Sequence, residues 1–173
     1  MELRDGDLVL RSWTEDDVPA LVRACNDAEI TRWIPVIPAP YTEEDALAFV
    51  RGEARPELAH SFAITEAGVV VGSIGMSVNA HDYRGHIGYW VAAWARGRGL
   101  CSLALRVLCS WALDELALQR LELITDPDNV ASQRCAEKVG FQREGVMRAH
   151  LRHPDGRVRD SVLFSLLPGE LVG

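Results

Sequence analysis

The amino-acid sequence predicts an α+β fold: an open, mostly antiparallel, twisted sheet with helices on both faces. Three observations predict it. The order of elements is mixed, running through one strand, two helices, three strands, an alternation of helix and strand, and closing strands. Two Thr-x-x-Asp signals, at Thr14 and Thr42, open helices early in the chain. In its middle, a glycine-punctuated turn joins a short aromatic, β-branched run to a long helical pattern. An open sheet covered by helices accommodates that order.

Residues 8–13 read as an opening strand. Thr14 and Asp17 form a capping box that starts a helix running to Cys25 or Asn26, and Thr42 with Asp45 repeats the signal for a second helix reaching toward Arg55, ahead of Pro56. Between them, 32–41 reads as a loop, because Pro35, Pro38 and Pro40 remove N–H donors and restrict the residues before them. That loop is unusually apolar, with Trp33, Ile34 and Tyr41 among its residues. Residues 61–65 and 69–78 read as a hairpin around Glu66, Ala67 and Gly68, and 85–91 as a further strand. Leu100, Leu103, Ala104, Val107, Leu108 and Trp111 recur at helical spacing. A strand over 121–125, a helix from Asn129 or Val130 to Val139, and strands around 141–147 and 158–166 complete the chain. No internal repeat, low-complexity tract or linker divides it, so residues 1–173 are expected to form a single domain.

The turn over Arg96, Gly97, Arg98, Gly99, Leu100, Cys101 and Ser102 is the most informative segment. It lies between strand and helix, where unpaired N–H groups and a partial positive charge stabilise an anion, and where Arg96 and Arg98 are expected to strengthen the field. Glycine also serves as a plain turn former, so the turn alone leaves both readings open. Two common nucleotide fingerprints are excluded. The chain has no Gly-x-x-x-x-Gly-Lys-Ser/Thr, and Ser102 follows Cys101 where a dinucleotide fold needs its third glycine.

Composition narrows the class. A chain of 173 residues, 48% hydrophobic and 25% charged, is ordinary for one globular domain and buries roughly two-thirds of its unfolded surface. No apolar run approaches the ~20 residues that cross a bilayer, and Met1, Glu2, Leu3, Arg4 and Asp5 contain no apolar signal core, so a cytoplasmic protein without membrane association is expected. Cys25, Cys101, Cys109 and Cys135 stand singly, without metal-ligand spacing, which fits small buried hydrophobes and predicts no metal. The net charge of −7 argues against nucleic acid and favours a cationic amine or basic peptide, although such charge also serves solubility alone.

The turn resembles the acyl-CoA loop of the GNAT N-acetyltransferases, whose signature is Gln or Arg, two residues, Gly, one residue, then Gly or Ala. Arg96, Gly99 and Cys101 occupy those slots, with Cys101 departing from the last. Asn129-Val130-Ala131-Ser132 and Glu137-Lys138-Val139-Gly140-Phe141 resemble the later CoA-contacting segment of that family. The flanks, from Leu8-Val9-Leu10-Arg11 to the closing segment at Arg159, Asp160 and Ser161, are most similar to its RimJ/RimL branch. The resemblance covers nearly the whole chain. It implies a V-shaped cleft between two splayed central strands, with pantetheine pairing to backbone near Val91 and acetyl-CoA, or another acyl-CoA, as co-substrate. The implied acceptor is an amine-bearing small molecule or a peptide or protein N-terminus, and the implied assembly a monomer or homodimer.

The expected chemistry is direct attack of an amine on the thioester in a ternary complex, which requires removal of an ammonium proton, stabilisation of an oxyanion and protonation of a thiolate. Backbone N–H near Val91 is the candidate for the oxyanion. Ser132 is the candidate hydroxyl for the thiolate, since many GNAT enzymes place a Tyr one helical turn later, where Ala136 stands here. Ser132 could equally cap its helix, and Asn129 could be the N-cap or contact the pantetheine amide. His86 and His150 are the candidate bases because imidazole titrates near neutrality, although either could be a solvated surface histidine. Asp160 is expected to pair with Arg157 or Arg159 rather than bind the amine. Trp33 and Tyr41 either pack against the core edge or wall the acceptor pocket. The alternative for the whole chain is a CoA-binding sensor or interaction module that retains the fold with weak catalysis.

Overall fold

The computed structural model describes residues 1–173 and contains eight strands and five helices. In chain order these are β1 Glu2–Asp5, β2 Leu8–Arg11, α1 Val18–Cys25, α2 Ala28–Trp33, α3 Glu43–Val50, β3 His60–Glu66, β4 Val69–Asn79, β5 Arg84–Val91, α4 Leu100–Asp114, β6 Arg120–Thr125, α5 Val130–Val139, β7 Gln142–Arg152 and β8 Val158–Leu166. Short 3₁₀ turns at Glu15–Asp17 and Ala93–Ala95 precede α1 and α4. The strands make one open sheet in the order β1-β2-β3-β4-β5-β6-β8-β7, antiparallel everywhere except between β5 and β6.

Both expected capping boxes form. At the second, Thr42 and Asp45 satisfy each other's backbone N–H groups and launch α3, which stops at Val50 rather than Arg55 because Gly52 turns to φ 77. At the first, the Asp17 carboxylate accepts the Thr14 amide at 2.9 Å and the Arg11 guanidinium at 2.7 and 2.8 Å. The opening strand ends at Arg11 rather than residue 13, and a preceding β1, turned through Gly6, was not legible because charged residues surround its single apolar side chain, Leu3. The expected loop over 32–41 overlaps a second unforeseen element. Asp27 accepts the Glu29 amide at 3.1 Å and caps α2, whose last residues are Arg32 and Trp33.

Side-chain alternation along β5 assigns its two faces. Ile87 enters the large core with Leu105 and Leu108 of α4, and Tyr89 and Val91 pack against that core from the same side. Trp90 points the other way, onto a smaller core built from Val18, Leu21 and Cys25 of α1, Tyr41, and Ala46 of α3. Helices therefore cover both faces.

Parallel pairing of β5 with β6 runs only from Arg84↔Arg120 to Ile87↔Leu123, although β5 continues to Val91 and β6 to Thr125. Beyond that point β6 stays paired to β8 through Ile124↔Leu163 and Thr125↔Val162, while β5 stays paired to β4 through Gly72↔Val91. The two central strands thus part at Gly88. The split opens the site.

Candidate functional site

A cavity of about 900 Å³ occupies the split and extends to both faces of the sheet. Its cofactor-like side is built by the end of β5, the turn into α4 and the start of α5. Gly97 and Gly99 adopt φ 75 and φ 76, the left-handed region that L-residues with side chains avoid, and Gly99 is the N-cap of α4. The backbone amides of Arg96, Gly97, Arg98, Gly99, Leu100, Cys101 and Ser102 find no acceptor in the protein, and all of these residues but Ser102 line the cavity. Strand geometry adds to it. Ala92 N donates to Val71 O at 2.9 Å, so the alternation of the ladder turns the N–H and C=O of Val91 and Tyr89 away from β4 and into the split.

The arginines behave differently from the sequence expectation. Arg96 is ion-paired with Asp27 and donates Nε to Val91 O at 3.2 Å, while Arg98 pairs with Glu66 at 2.6 Å. Their charge is therefore largely balanced by acids, and the amides and the α4 N-terminus carry most of the anion-binding capacity. Cys101, the departure from the family pattern, directs its sulfur at Cys135 Sγ, 3.2 Å away. Its bulk joins the contact between α4 and α5. Their mutual hydrogen bond is the main cause that raises the Cys101 thiol and lowers that of Cys135.

At the start of α5, Asn129 Oδ1 accepts the Ser132 amide at 3.1 Å, so Asn129 is the N-cap and Ser132 is the residue capped. The Ser132 hydroxyl lies 3.1 Å from the Tyr89 hydroxyl, which also reaches Ser132 O at 3.3 Å. Sequence reasoning missed Tyr89. The signal was its parity with Ile87 and Val91, which places all three on the α4–α5 face of β5. Burial, ahead of the neighbouring thiols, raises the Tyr89 phenol and keeps it protonated.

His86 and His150 both line the other side of the cavity. His86 projects from β5 into the concave opening, where reduced contact with bulk water lowers its pKa from 6.5, partly opposed by Glu122 on the adjacent strand. That direction favours the neutral imidazole. His150 Nδ1 lies 3.0 Å from the hydroxyl of the fully buried Ser161. It reaches Ser161 from a bulge in β7, where Ala149 adopts φ 53 and the register slips between Met147 and Leu151. Asp160 accepts the Ala149 amide at 2.8 Å and so holds the bulge. The expected Asp160 pairing is corrected: Arg157 pairs with Asp155 and Arg159 with Asp126.

Trp33 is half-buried on the cavity wall, with Nε1 donating to Glu29 Oε1 at 3.2 Å and the Arg32 guanidinium stacked 4.3 Å from its ring centroid. Tyr41 touches the cavity too, but it is 93% buried in the smaller core, and its amide is held by Asn26 Oδ1 at 3.0 Å. It shapes the wall from behind. No helix is long and apolar enough to cross a membrane.

Comparison with known proteins agrees with this arrangement. Residues 7–142 match the acetyltransferase (GNAT) domain model. Over 173 residues the chain is 28% identical to p20 of Bacillus licheniformis, named an uncharacterized N-acetyltransferase, covering 96% of each chain. It is 33% identical over 114 residues, 62% of each chain, to YdaF of Bacillus subtilis (strain 168), provisionally named a ribosomal N-acetyltransferase. It superposes on Mycobacterium smegmatis RimJ in complex with CoA-disulfide with a TM-score of 0.83 and 25% identity, covering 100% of this chain and 88% of that one.

Proposed function

Because the chain belongs to the GNAT acetyltransferase domain family, we propose that its split cavity transfers the acetyl group of acetyl-CoA directly to a primary amine in a ternary complex. The uninterrupted run of acceptor-free amides from Arg96 to Ser102, at the mouth of a cleft left by two parting strands, carries this reading. That surface suits a pyrophosphate, and the exposed ladder edge of Tyr89 and Val91 suits an extended amide chain such as pantetheine. Acetyl-CoA supplies an activated thioester, and the residues of this chain supply the rest.

Val91 N–H faces the split and stabilises the oxyanion. Neutral His86, or His150 held by Ser161, accepts the ammonium proton of the incoming amine; the freed nitrogen bonds to the acetyl carbon as the carbon–sulfur bond breaks. Ser132 passes a proton to the departing thiolate, with Tyr89 behind it as the donor. Asn129, whose Oδ1 is used in the cap, retains its amide N–H groups for the pantetheine chain. Trp33, backed by Tyr41, borders the acceptor. The acceptor is an amine on a peptide or protein N-terminus, as the ribosomal name of YdaF supports, or on a small molecule.

Titration calorimetry with acetyl-CoA, followed by detection of the free thiol released with a panel of amines and peptides, tests the reading. Binding with amine-dependent thiol release is the expected outcome. Binding without release from any amine would leave a CoA-binding module, and absence of binding would overturn the site altogether.

A further inference from the structure

The side of the cavity opposite the α4–α5 face has an unusual floor. Gly75 of β4 and Gly88 of β5 stand opposite each other in register, with His86 and Trp90 on either side of Gly88 along the strand. The two glycines differ. A Cβ at Gly75 would come within 3.2 Å of both His60 O and the Leu58 side chain, so Gly75 is explained by packing. A Cβ at Gly88 would meet no atom within 4 Å, and its backbone is ordinary extended strand, so neither sterics nor conformation demands glycine there. A glycine within a strand weakens it and commonly marks a place where something approaches the backbone closely. Here the open space above it is the cavity itself.

The walls around this floor are mainly apolar. Trp33, Ile34, Ile37, Phe49, Leu58 and Trp90 line it as half-buried side chains. The carboxylates that reach the cavity are engaged: Glu29 accepts Trp33 Nε1, Asp45 closes the α3 capping box, and Asp126 pairs with Arg159 at 2.6 Å. Asp126 is neutralised by Arg159, while the hydrogen bonds of Glu29 and Asp45 come from neutral donors and leave their charge in place, so the apolar wall carries the argument: an apolar body would cover side chains that are otherwise wetted.

We propose that Gly88 is the specificity-determining residue of the acceptor site, its missing side chain leaving room for an amine carried next to a bulky apolar group. This rests on the transfer reading above and names its substrate class. The same chemistry has two sources, a free arylalkylamine or a peptide whose first residue is large and apolar. In both, the apolar group lies between Trp33, Phe49 and Trp90 while the amine points to the split between β5 and β6.

The test compares wild type, Gly88→Ala and Gly88→Val on 2-phenylethylamine, a Phe-initiated peptide, a Gly-initiated peptide, ethylamine and spermidine. The added Cβ meets no atom within 4 Å in either variant, so both are expected to fold, which melting curves check. In wild type, at least one of the two bulky apolar amines exceeds spermidine and ethylamine in kcat/KM, and comparing the free amine with the Phe-initiated peptide identifies the source. Valine at position 88 then lowers kcat/KM for the preferred bulky amine by about tenfold or more, alanine less, with ethylamine and acetyl-CoA affinity unchanged. Preference for spermidine in wild type, or an equal loss on large and small amines in Gly88→Val, would overturn the proposal and leave the transfer reading intact. Acetyl-CoA binding without turnover of any amine would overturn both.

Discussion

Replacing Ser132 by Ala separates catalysis from folding more cleanly than the sequence alone would indicate. A serine near the start of a helix invites the idea that its hydroxyl caps the helix, and removing a cap costs about 1 kcal/mol. In the structure, however, Asn129 is the cap and Ser132 contributes only its backbone amide to that bond, which alanine retains. Alanine removes the 3.1 Å hydrogen bond between the Ser132 and Tyr89 hydroxyls, worth about 0.5–1.5 kcal/mol, or a melting shift of about 2–4 °C per kcal/mol for a domain of this size. If the hydroxyl delivers the proton to the departing thiolate, kcat falls about 100-fold, equivalent to ~2.7 kcal/mol, while acetyl-CoA affinity barely changes. Tyr89→Phe keeps the ring in place and removes only the second hydroxyl. In Ser132→Ala/Tyr89→Phe the loss is then no greater than in Ser132→Ala alone, because the phenol acts through the serine. The assay is thiol release at saturating acetyl-CoA, normalised to the folded fraction from the same preparation. A Ser132→Ala enzyme with kcat within about twofold of the parent would refute the proton-delivery role, and additive losses in the double variant would refute the linkage to Tyr89.

Three other outcomes are expected. A Cβ at Gly99 meets no atom within 4 Å but must hold φ near 76, so Gly99→Val folds with a penalty of about 1–2 kcal/mol and loses acetyl-CoA affinity by roughly tenfold or more as its side chain crowds the amides; unchanged affinity by calorimetry would remove the anion cradle. Glu66→Gln releases Arg98 from its ion pair and tightens CoA binding by about twofold to fivefold, the range of an exposed charge pair, whereas no change would show Arg98 idle toward phosphate. His86→Gln acts on stability and turnover together: with the folded pKa below 6.5, the unfolded chain gains a proton first as pH falls, so wild-type stability drops below about pH 6.5 until the folded pKa is passed, and the variant lacks that drop in melting scans against pH. If His86 is the base, the acidic limb of kcat/KM flattens as well; if His150 is, only His150→Gln flattens it, and two unaltered limbs would remove histidine from the mechanism.

The parts of the fold that could be read from the chain are those specified by local chemistry. Thr14 with Asp17 and Thr42 with Asp45 announce their helices because the side chains satisfy backbone groups three residues away. Ala67 and Gly68 announce a hairpin because both adopt positive φ between Glu66 and Val69, which pair. β1 and α2 were illegible for the opposite reason. β1 is held by its ladder to β2, whose partners include Leu3↔Leu10 and Arg4↔Val9, and α2 is too short to show a period. The same division runs through the site. Gly97 and Gly99 reveal the turn through their own backbone freedom, but the partners of Arg96 and Arg98, namely Asp27 and Glu66, come from distant segments that no local pattern connects.

The proposed mechanism places its hydroxyl pair on two elements, Tyr89 on β5 and Ser132 on α5. Ala136, where many GNAT enzymes carry a tyrosine, is completely buried in the large core, and Tyr89 packs against that same core from β5. The phenol on the strand brings its hydroxyl within 3.1 Å of the Ser132 hydroxyl. In the proposed proton delivery the hydroxyl beside Ser132 is that of Tyr89, and burial raises the pKa of its phenol.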